Sequence, residues 1–304
     1  MKKNNFKYEY IEYKNFRRCL KISTSNYTVI LATQFGPRIL FFGPNDKFNM
    51  LFEDTKDVFT MSTKEHQKKF HNKIWHCYGG HRLWVSPESI LTYAPDNKPL
   101  NVQIRSNKIM IKAPTLPLIN LKICWVLNVE QHKLNIKHSI QNLAKQSITL
   151  APWSLTQMAP NGIAIFKFND NQTGFLPNRR LIVWPYTHLQ DARLFLGNKY
   201  LSLKMDPTKK QALKLGMDYH IGKASYILNN YQFTIQFKHN MKGDYPDYGC
   251  SLEAYTNNHF LEIETLGTLI NLQSQASVRH KETWTIRKIK FTLLNTDEKI
   301  NKLF

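Results

Sequence analysis

The amino-acid sequence predicts an all-β protein built as a sandwich of antiparallel sheets. Many short segments are rich in β-branched and aromatic residues, and Gly, Pro and Asn separate them. No segment sustains a 3.6-residue apolar period over about fifteen positions, so we expect no long helix. Short strands joined by turns favour a sandwich. Because strands average about 5–6 residues, we expect roughly fifteen to twenty of them.

The composition is compatible with one domain covering residues 1–304. Hydrophobic residues make up 42% of the chain and aromatic residues 12%, which is enough for a large core. No Pro- or Ser-rich linker divides the sequence, and no internal repeat is present.

The first predicted strands lie at residues 27–31, 36–44 and 50–53. Residues 54–73 lack periodicity and predict a polar loop, with or without a helical turn. Two hairpins follow, because alternating segments flank short polar connections at 102–111 and 121–140. Further strands are predicted at 147–150, 231–237, 251–255, 260–265 and 283–286.

The net charge of +20 arises from 42 basic and 22 acidic residues. It has two interpretations: a polyanionic partner, or the Lys-, Asn- and Ile-rich bias of AT-rich coding sequence. The basic residues are dispersed and no nucleic-acid-binding motif accompanies them, which favours the second interpretation. We therefore expect no nucleic-acid partner, and a phosphate-bearing substrate stays open.

The predictions of the cellular compartment and of cofactors rest on sequence motifs that are absent. No apolar leader follows Met1, no apolar stretch is long enough to cross a bilayer, and four cysteines lack a CxxC spacing. We expect a cytoplasmic protein with reduced thiols and no membrane association. Motifs for nucleotide phosphates, zinc proteases and α/β-hydrolases are absent, so no cofactor is expected.

Histidines are dense before the Gly-Gly segment, at His66, His71, His76 and His81, with Cys77 among them. Their spacing matches none of the usual zinc patterns and does not place them on one face of a strand or helix. We therefore expect no metal.

The segment at residues 78–88, YGGHRLWVSPE, is the densest in functional groups. Adjacent glycines allow a sharp turn or a close approach to a ligand. The polar groups that follow, including His81, Arg82, Trp84 and Glu88, are costly to bury without partners. The segment is therefore predicted to line a cleft.

Two further segments carry candidate chemistry. Glu262 and Glu264 would share one face of a strand, with Glu253 nearby in sequence, so each carboxylate would raise the pKa of the other. A solvent-exposed strand face is the alternative. Residues 176–186 contain Asn178, Arg179 and Trp184, which could bind hydroxyls or phosphates and stack on a sugar ring. A surface loop anchored by its aromatic residues is the alternative there.

Together these segments resemble the galactose mutarotase-like superfamily, the aldose 1-epimerases and their relatives. The resemblance is strongest to bacterial proteins that carry Gly-Gly-His-Arg-Leu-Trp, Leu-Pro-Asn-Arg-Arg and Leu-Glu-Xaa-Glu-Thr-Leu-Gly. Residues 36–39, 79–81 and 263–265 match its early glycine–arginine turn, its Gly-Gly turn beside the sugar and its catalytic strand. It covers residues 25–290 in matching order and implies a β-supersandwich with a sugar-binding cleft.

The resemblance implies a base that removes the anomeric proton and an acid that protonates the ring oxygen. Glu264 would be the base and His81 the acid, since histidine titrates near neutral pH. The implied pocket residues are Arg38, Arg82, Trp84, Glu88, Trp153, Asn178, Arg179, Trp184 and Glu262.

One departure concerns Trp153, which occupies the place of the family's acid histidine. Because an indole cannot supply that proton, either His81 has taken over the role or the protein binds sugar without epimerising it. A sugar-phosphate epimerase is a further alternative, suggested by Arg179 and Arg180.

Overall fold

A computed structural model describes residues 6–290 and 296–303, and this part of the chain is built almost entirely of strands. In chain order the first strands are β1 (Lys7–Tyr13), β2 (Phe16–Ser23), β3 (Thr28–Leu31), β4 (Ile39–Gly43), β5 (Thr60–Met61), β6 (Trp75–His76), β7 (His81–Ser86), β8 (Asn101–Arg105), β9 (Lys108–Lys112), β10 (Leu121–Val129), β11 (Leu134–Asn142) and β12 (Ile148–Met158).

The remaining strands are β13 (Ile163–Lys167), β14 (Leu181–Val183), β15 (Leu194–Leu196), β16 (Tyr200–Lys204), β17 (Leu213–Met217), β18 (Lys223–Leu228), β19 (Tyr231–Phe237), β20 (Leu252–Thr256), β21 (Leu261–Leu266), β22 (Ile270–Leu272) and β23 (Ser277–Lys288). The α-helices are short: α1 (Lys64–Phe70), α2 (Pro246–Gly249) and α3 (Asp297–Asn301), with one 3₁₀ turn at Ile90–Tyr93.

Two large antiparallel sheets form the sandwich. The first has eleven strands in the order β1-β2-β3-β4-β7-β12-β21-β20-β17-β14, with β22 pairing to β12. The second has ten, in the order β15-β16-β13-β18-β19-β23-β11-β10-β9-β8. Strands β5 and β6 form a small separate pair. The predicted all-β sandwich is therefore confirmed, with 23 strands among the described residues, more than expected.

The core lies between the two sheets, where one hydrophobic cluster takes residues from both. In the second sheet, β10 and β11 alternate strictly between buried and half-buried residues, because only one face of these strands packs on the core. In the first sheet, β12, β17 and β21 are buried on both faces. Other parts of the chain therefore cover the outer face of the first sheet at its centre, and a pocket lies there.

Several predicted elements are confirmed. The hairpin at 102–111 forms β8 and β9, and the hairpin at 121–140 forms β10 and β11 in direct register. The loop at 54–73 contains the single helix α1, whose first turn is capped by the Thr63 side chain. The predicted strand at 50–53 is wrong, since Leu51 and Glu53 make only isolated bridges. The strands that were not predicted are β1, β2, β5, β6, β7, β13–β18 and β22, and β5 lies within the predicted loop at 54–73.

Candidate functional site

A pocket of about 360 Å³ lies on the outer face of the first sheet, over β7, β12, β21, β20 and β17. Aromatic rings surround it, among them Trp75, Trp84, Tyr93, Trp153, Tyr186 and Tyr255. The charged side chains of its lining are Arg82, Glu88, Lys214, Glu262 and Glu264. A cleft with apolar walls and a few convergent polar groups is the usual form of a ligand site.

The pleat of the strands decides which residues reach the pocket. Successive side chains of a strand point to opposite faces, so Arg82 and Trp84 of β7 face the pocket while Leu83 faces the core. By the same alternation, Glu262 and Glu264 of β21 both reach the pocket. The predicted sharing of one face by these two carboxylates is confirmed, and the face is enclosed, not solvated.

Lys214 is the centre of the charge arrangement, and it was missed in the sequence. Its ammonium lies 2.7 Å from Glu253 Oε2 and 3.0 Å from Glu264 Oε2. It also lies 5.0 Å from the ring centre of Trp153 and 4.8 Å from that of Trp184, which are cation–π distances. Burial alone would lower the pKa of Lys214, but Glu264 and Glu253 outweigh burial and raise it.

The need for this cation follows from strand register. Glu253 and Glu264 are direct cross-strand partners on β20 and β21, and like charges in that position are destabilising. Glu253 is completely buried, and its burial, together with the neighbouring Glu264, raises its pKa well above the ordinary range. Lys214 lies between the two carboxylates and offsets their repulsion.

Glu264 has two different oxygens. Its Oε2 accepts hydrogen bonds from Trp153 Nε1 at 2.7 Å and from Lys214 Nζ at 3.0 Å. Its Oε1 is buried and has no hydrogen-bond partner among the described residues. One oxygen is therefore held in place, while the other has no hydrogen-bond partner among the described residues.

Glu262 lies in a different environment on the same strand. It accepts a hydrogen bond from Gln157 Nε2 at 3.0 Å, and Arg82 Nη2 lies 3.6 Å from Oε1. Burial and the nearby charge of Glu264 raise the pKa of Glu262 to about 7, against the opposing effect of Arg82. This carboxyl can therefore exist in both protonation states near neutral pH.

Aromatic packing holds Arg82 in place. Its guanidinium lies 4.3 Å from the ring centre of Trp84 and 5.5 Å from that of Trp75. Trp84 in turn packs on Trp153, with ring centres 5.6 Å apart. Glu88 is exposed at the rim and accepts a hydrogen bond from the Tyr93 hydroxyl.

The predicted position of His81 is wrong. His81 is the strand neighbour of Arg82, so the pleat turns it to the opposite face of the sheet, into the core and away from Glu264. It is fully buried, 2.9 Å from Thr156 Oγ1 and 2.9 Å from His138 Nε2. Burial, followed by the neighbouring His138, lowers its pKa well below the usual value. His81 and Glu264 therefore do not meet across the pocket.

Around His81 the core contains a polar layer between the sheets. Glu282 accepts hydrogen bonds from Ser154, Thr265 and Trp284, at 2.6–2.9 Å. These donors satisfy the carboxylate inside the protein, which is the requirement for a buried polar group. The layer is thus a structural network behind the pocket.

Four predicted binding residues lie outside the pocket lining, and three of them have their partners elsewhere. Arg38 is buried beside Asp96, with Nη1 at 2.8 Å from Oδ2, because Asp96 supplies the buried counter-charge. Asn178 and Arg179 lie on a loop in which Asn178 contacts Asn171 and Arg179 contacts Asn198. These placements correct the expectation that all three line the cleft.

The predicted residues that the fold does bring together are Arg82, Trp84, Glu88, Trp153, Glu262 and Glu264. Trp184 is the fourth predicted residue outside the lining, and its ring contacts Lys214. Lys214 and Gln157 were missed. A lone lysine in the apolar segment Leu213-Lys214-Leu215 was the available signal, since a charged residue inside a buried strand needs a partner.

The Gly-Gly turn approaches another part of the backbone. Gly79 and Gly80 have φ of +77° and +71°, and a Cβ at Gly80 would lie 2.0 Å from the carbonyl oxygen of Ile39. Only glycine fits there. The turn therefore sets the start of β7, and hence the register that presents Arg82.

No helix among the described residues is long and apolar enough to span a membrane.

Comparison with known proteins gives a clear result for the fold. No protein-family model and no curated protein matches the sequence. Among solved structures, the Slr1438 protein from Synechocystis sp. PCC 6803 is similar with a TM-score of 0.56 and 11% identity, over 92% of this chain and 99% of that chain. A galactose mutarotase-like protein from Lactobacillus casei has a TM-score of 0.54 and 10% identity, over 88% and 100%.

A galactose mutarotase-like protein from Clostridium acetobutylicum has a TM-score of 0.55 and 10% identity, over 94% of this chain and 99% of that chain. Structural similarity at sequence identities this low shows a shared fold and does not show a shared activity. Together with the two large antiparallel sheets, these similarities lead to one conclusion: this chain has the galactose mutarotase-like fold.

Proposed function

We propose that this protein binds a neutral monosaccharide in the pocket and exchanges its anomers by general acid–base catalysis. The names of the similar structures support a sugar-related function. The pocket itself supports it independently, because aromatic rings beside carboxylates and a guanidinium suit a ligand with apolar ring faces and polar edges. We also propose that residues 1–304 act as one domain, since one hydrophobic cluster joins both sheets.

The volume and charge of the pocket favour a small neutral ligand. About 360 Å³ is at the lower end of the usual range for ligand pockets, about 300–1,000 Å³. Lys214 and Arg82 already have carboxylate partners. The pair that suggested a phosphate is engaged elsewhere, with Arg179 on Asn198 and Arg180 on Tyr248. A sugar phosphate would therefore lack a free cation from these groups.

In the proposed reaction, Glu264 Oε1 accepts the proton of the anomeric hydroxyl. Glu262, in its protonated form, donates a proton to the ring oxygen as the bond from that oxygen to the anomeric carbon breaks. The open-chain aldehyde turns about the adjacent carbon–carbon bond. Ring closure then returns both protons, so the enzyme is unchanged.

One observation carries this assignment: two carboxyls on one strand face have opposite environments. Glu264 lies against a cation and an indole N–H, whereas Glu262 has a pKa of about 7. Two neighbouring carboxyls in different environments can take different roles in acid–base catalysis. In this proposal Glu262 takes the acid role that the family resemblance implied for His81.

The test is anomer exchange, followed by saturation-transfer NMR on a panel of neutral aldoses. The wild-type chain should accelerate exchange of at least one aldose. Glu264→Gln and Glu262→Gln should each lower the rate by about 100-fold or more, within the usual range for a general acid or base. Glu9→Gln, at an exposed carboxylate on β1, is the matched control and should not change it. Equal rates in wild type and both pocket variants would contradict the catalytic assignment.

A second candidate function is sugar binding without catalysis. It is favoured by the contacts of Glu264 Oε2, because Trp153 and Lys214 already occupy this oxygen and hold it in place. Under this function, aldose binding measured by calorimetry would persist while exchange stays at the uncatalysed rate. The two measurements on one sample therefore separate the candidates.

A further inference from the structure

Outside the pocket, three potential metal ligands converge where β17 and β19 end. Asp218 and His220 follow β17, and His239 follows β19. Asp218 Oδ1 lies 3.2 Å from His220 Nε2 and 3.5 Å from His239 Nε2, and all three ligand atoms lie within 4.8 Å of one another. None of the three lines the pocket assigned to sugar.

The separations of these ligand atoms are compatible with a metal centre. In tetrahedral coordination, metal–ligand bonds of about 2.0–2.1 Å place neighbouring ligand atoms roughly 3.3–3.4 Å apart. The two ring-to-carboxylate distances lie close to that separation.

The surrounding hydrogen bonds hold the ligands in position. Asn169 is buried, donates to the carbonyl of Asp218 at 2.8 Å and accepts from the backbone N–H of His220 at 2.9 Å. One side chain thus fixes the backbone of two ligands. Outer partners of this kind orient metal ligands and are worth about 10- to 100-fold in affinity.

The ring of His239 is fixed in the same way. Its Nδ1 lies 2.9 Å from Ser251 Oγ, and that oxygen also accepts the backbone N–H of Tyr219 at 2.9 Å. The ring stacks on Tyr245, with ring centres 4.8 Å apart and an interplanar angle of 12°. With Nδ1 engaged and only 5% of the side chain exposed, Nε2 is directed at Asp218.

We propose that Asp218, His220 and His239 bind one divalent transition-metal ion of the Zn²⁺ or Co²⁺ type. Two imidazoles and one carboxylate are ligands that these metals accept, and the set leaves coordination positions for water or an exogenous ligand. Asp218 and His220 keep about a quarter of their side chains exposed, so an ion can reach the site.

The experiment uses the full chain after treatment with a chelator. Titration with Co²⁺ should give one equivalent of binding with the visible d–d bands of a low-symmetry site, and Zn²⁺ should displace it. Asp218→Asn, His220→Gln and His239→Ala should each weaken Co²⁺ binding by about 100-fold or more, since even an outer partner is worth about 10- to 100-fold. Far-ultraviolet circular dichroism checks the fold of each variant.

His188→Ala is the matched control, because His188 is exposed and lies outside the cluster. It should bind Co²⁺ like wild type. If wild type binds no Co²⁺ at millimolar concentration, or if Asp218→Asn and His220→Gln bind as tightly as the control, the three residues form only His–Asp ion pairs and the proposal is wrong.

Discussion

Replacing Lys214 with methionine is the most direct test of the charge arrangement. The change keeps an unbranched side chain that is one atom shorter, and it leaves Glu253 and Glu264 opposite each other without their cation. Breaking a buried ion pair by removing one partner costs about 3–5 kcal/mol. Because Lys214 retains 10% side-chain exposure at the pocket, we expect the lower end, about 3 kcal/mol at pH 8.

The stability lost in Lys214→Met should depend on pH in a defined direction. The pKa of Glu253 is already raised by burial and by Glu264, and loss of Lys214 raises it further. A carboxyl with a raised folded-state pKa stabilises the fold below its unfolded pKa, and this contribution is lost as pH rises through the folded pKa. The destabilisation by Lys214→Met should therefore be larger at pH 8 than at pH 5.

The assay is urea unfolding, followed by tryptophan fluorescence, at both pH values. Adding Glu253→Gln to Lys214→Met should restore part of the stability, because one of the two uncompensated charges is removed. Lys204→Met, at a lysine with 59% side-chain exposure, is the control and should stay within about 0.5 kcal/mol of wild type. A Lys214→Met protein within about 1 kcal/mol of wild type at pH 8, or an equal loss at both pH values, would refute the reasoning.

Three further predictions follow from the same geometry. Anomer exchange should fall as pH rises through about 7, because Glu262 must be protonated to act as the acid; a rate that stays constant through neutrality would contradict this. His81→Ala should lower the free energy of unfolding by about 2–4 kcal/mol, through a cavity and unpaired partners, yet leave aldose binding by the folded protein unchanged in calorimetry. In urea unfolding, Gly174→Ala should lower the free energy of unfolding by about 1 kcal/mol, because its φ is positive but a Cβ has space. Gly80→Ala should lower it by clearly more, because its φ is also positive and a Cβ has no space. Similar losses for the two glycine variants would show that the contact with Ile39 relaxes.

The prediction that His81 lines the pocket failed because of the local geometry of its strand. His81 and Arg82 are adjacent on one strand, so the pleat cannot direct both into the same cleft. Choosing between them required knowing which face of β7 is covered by the second sheet. The sequence does not show which face that is, because both faces of β7 are buried and each carries apolar and polar residues.

The sequence by itself determined the all-β class, two of the hairpins and the common face of Glu262 and Glu264, because these depend on a two-residue period and on turn chemistry. Its resemblance to the mutarotase-like proteins also predicted the fold that comparison of structures confirms. The tertiary structure alone decided that Lys214 pairs with Glu253 and Glu264, which are distant along the chain. It also decided that Arg38 and Arg179 have partners outside the pocket. Such pairings depend on the order of strands in the sheet, and the local pattern of residues does not specify that order.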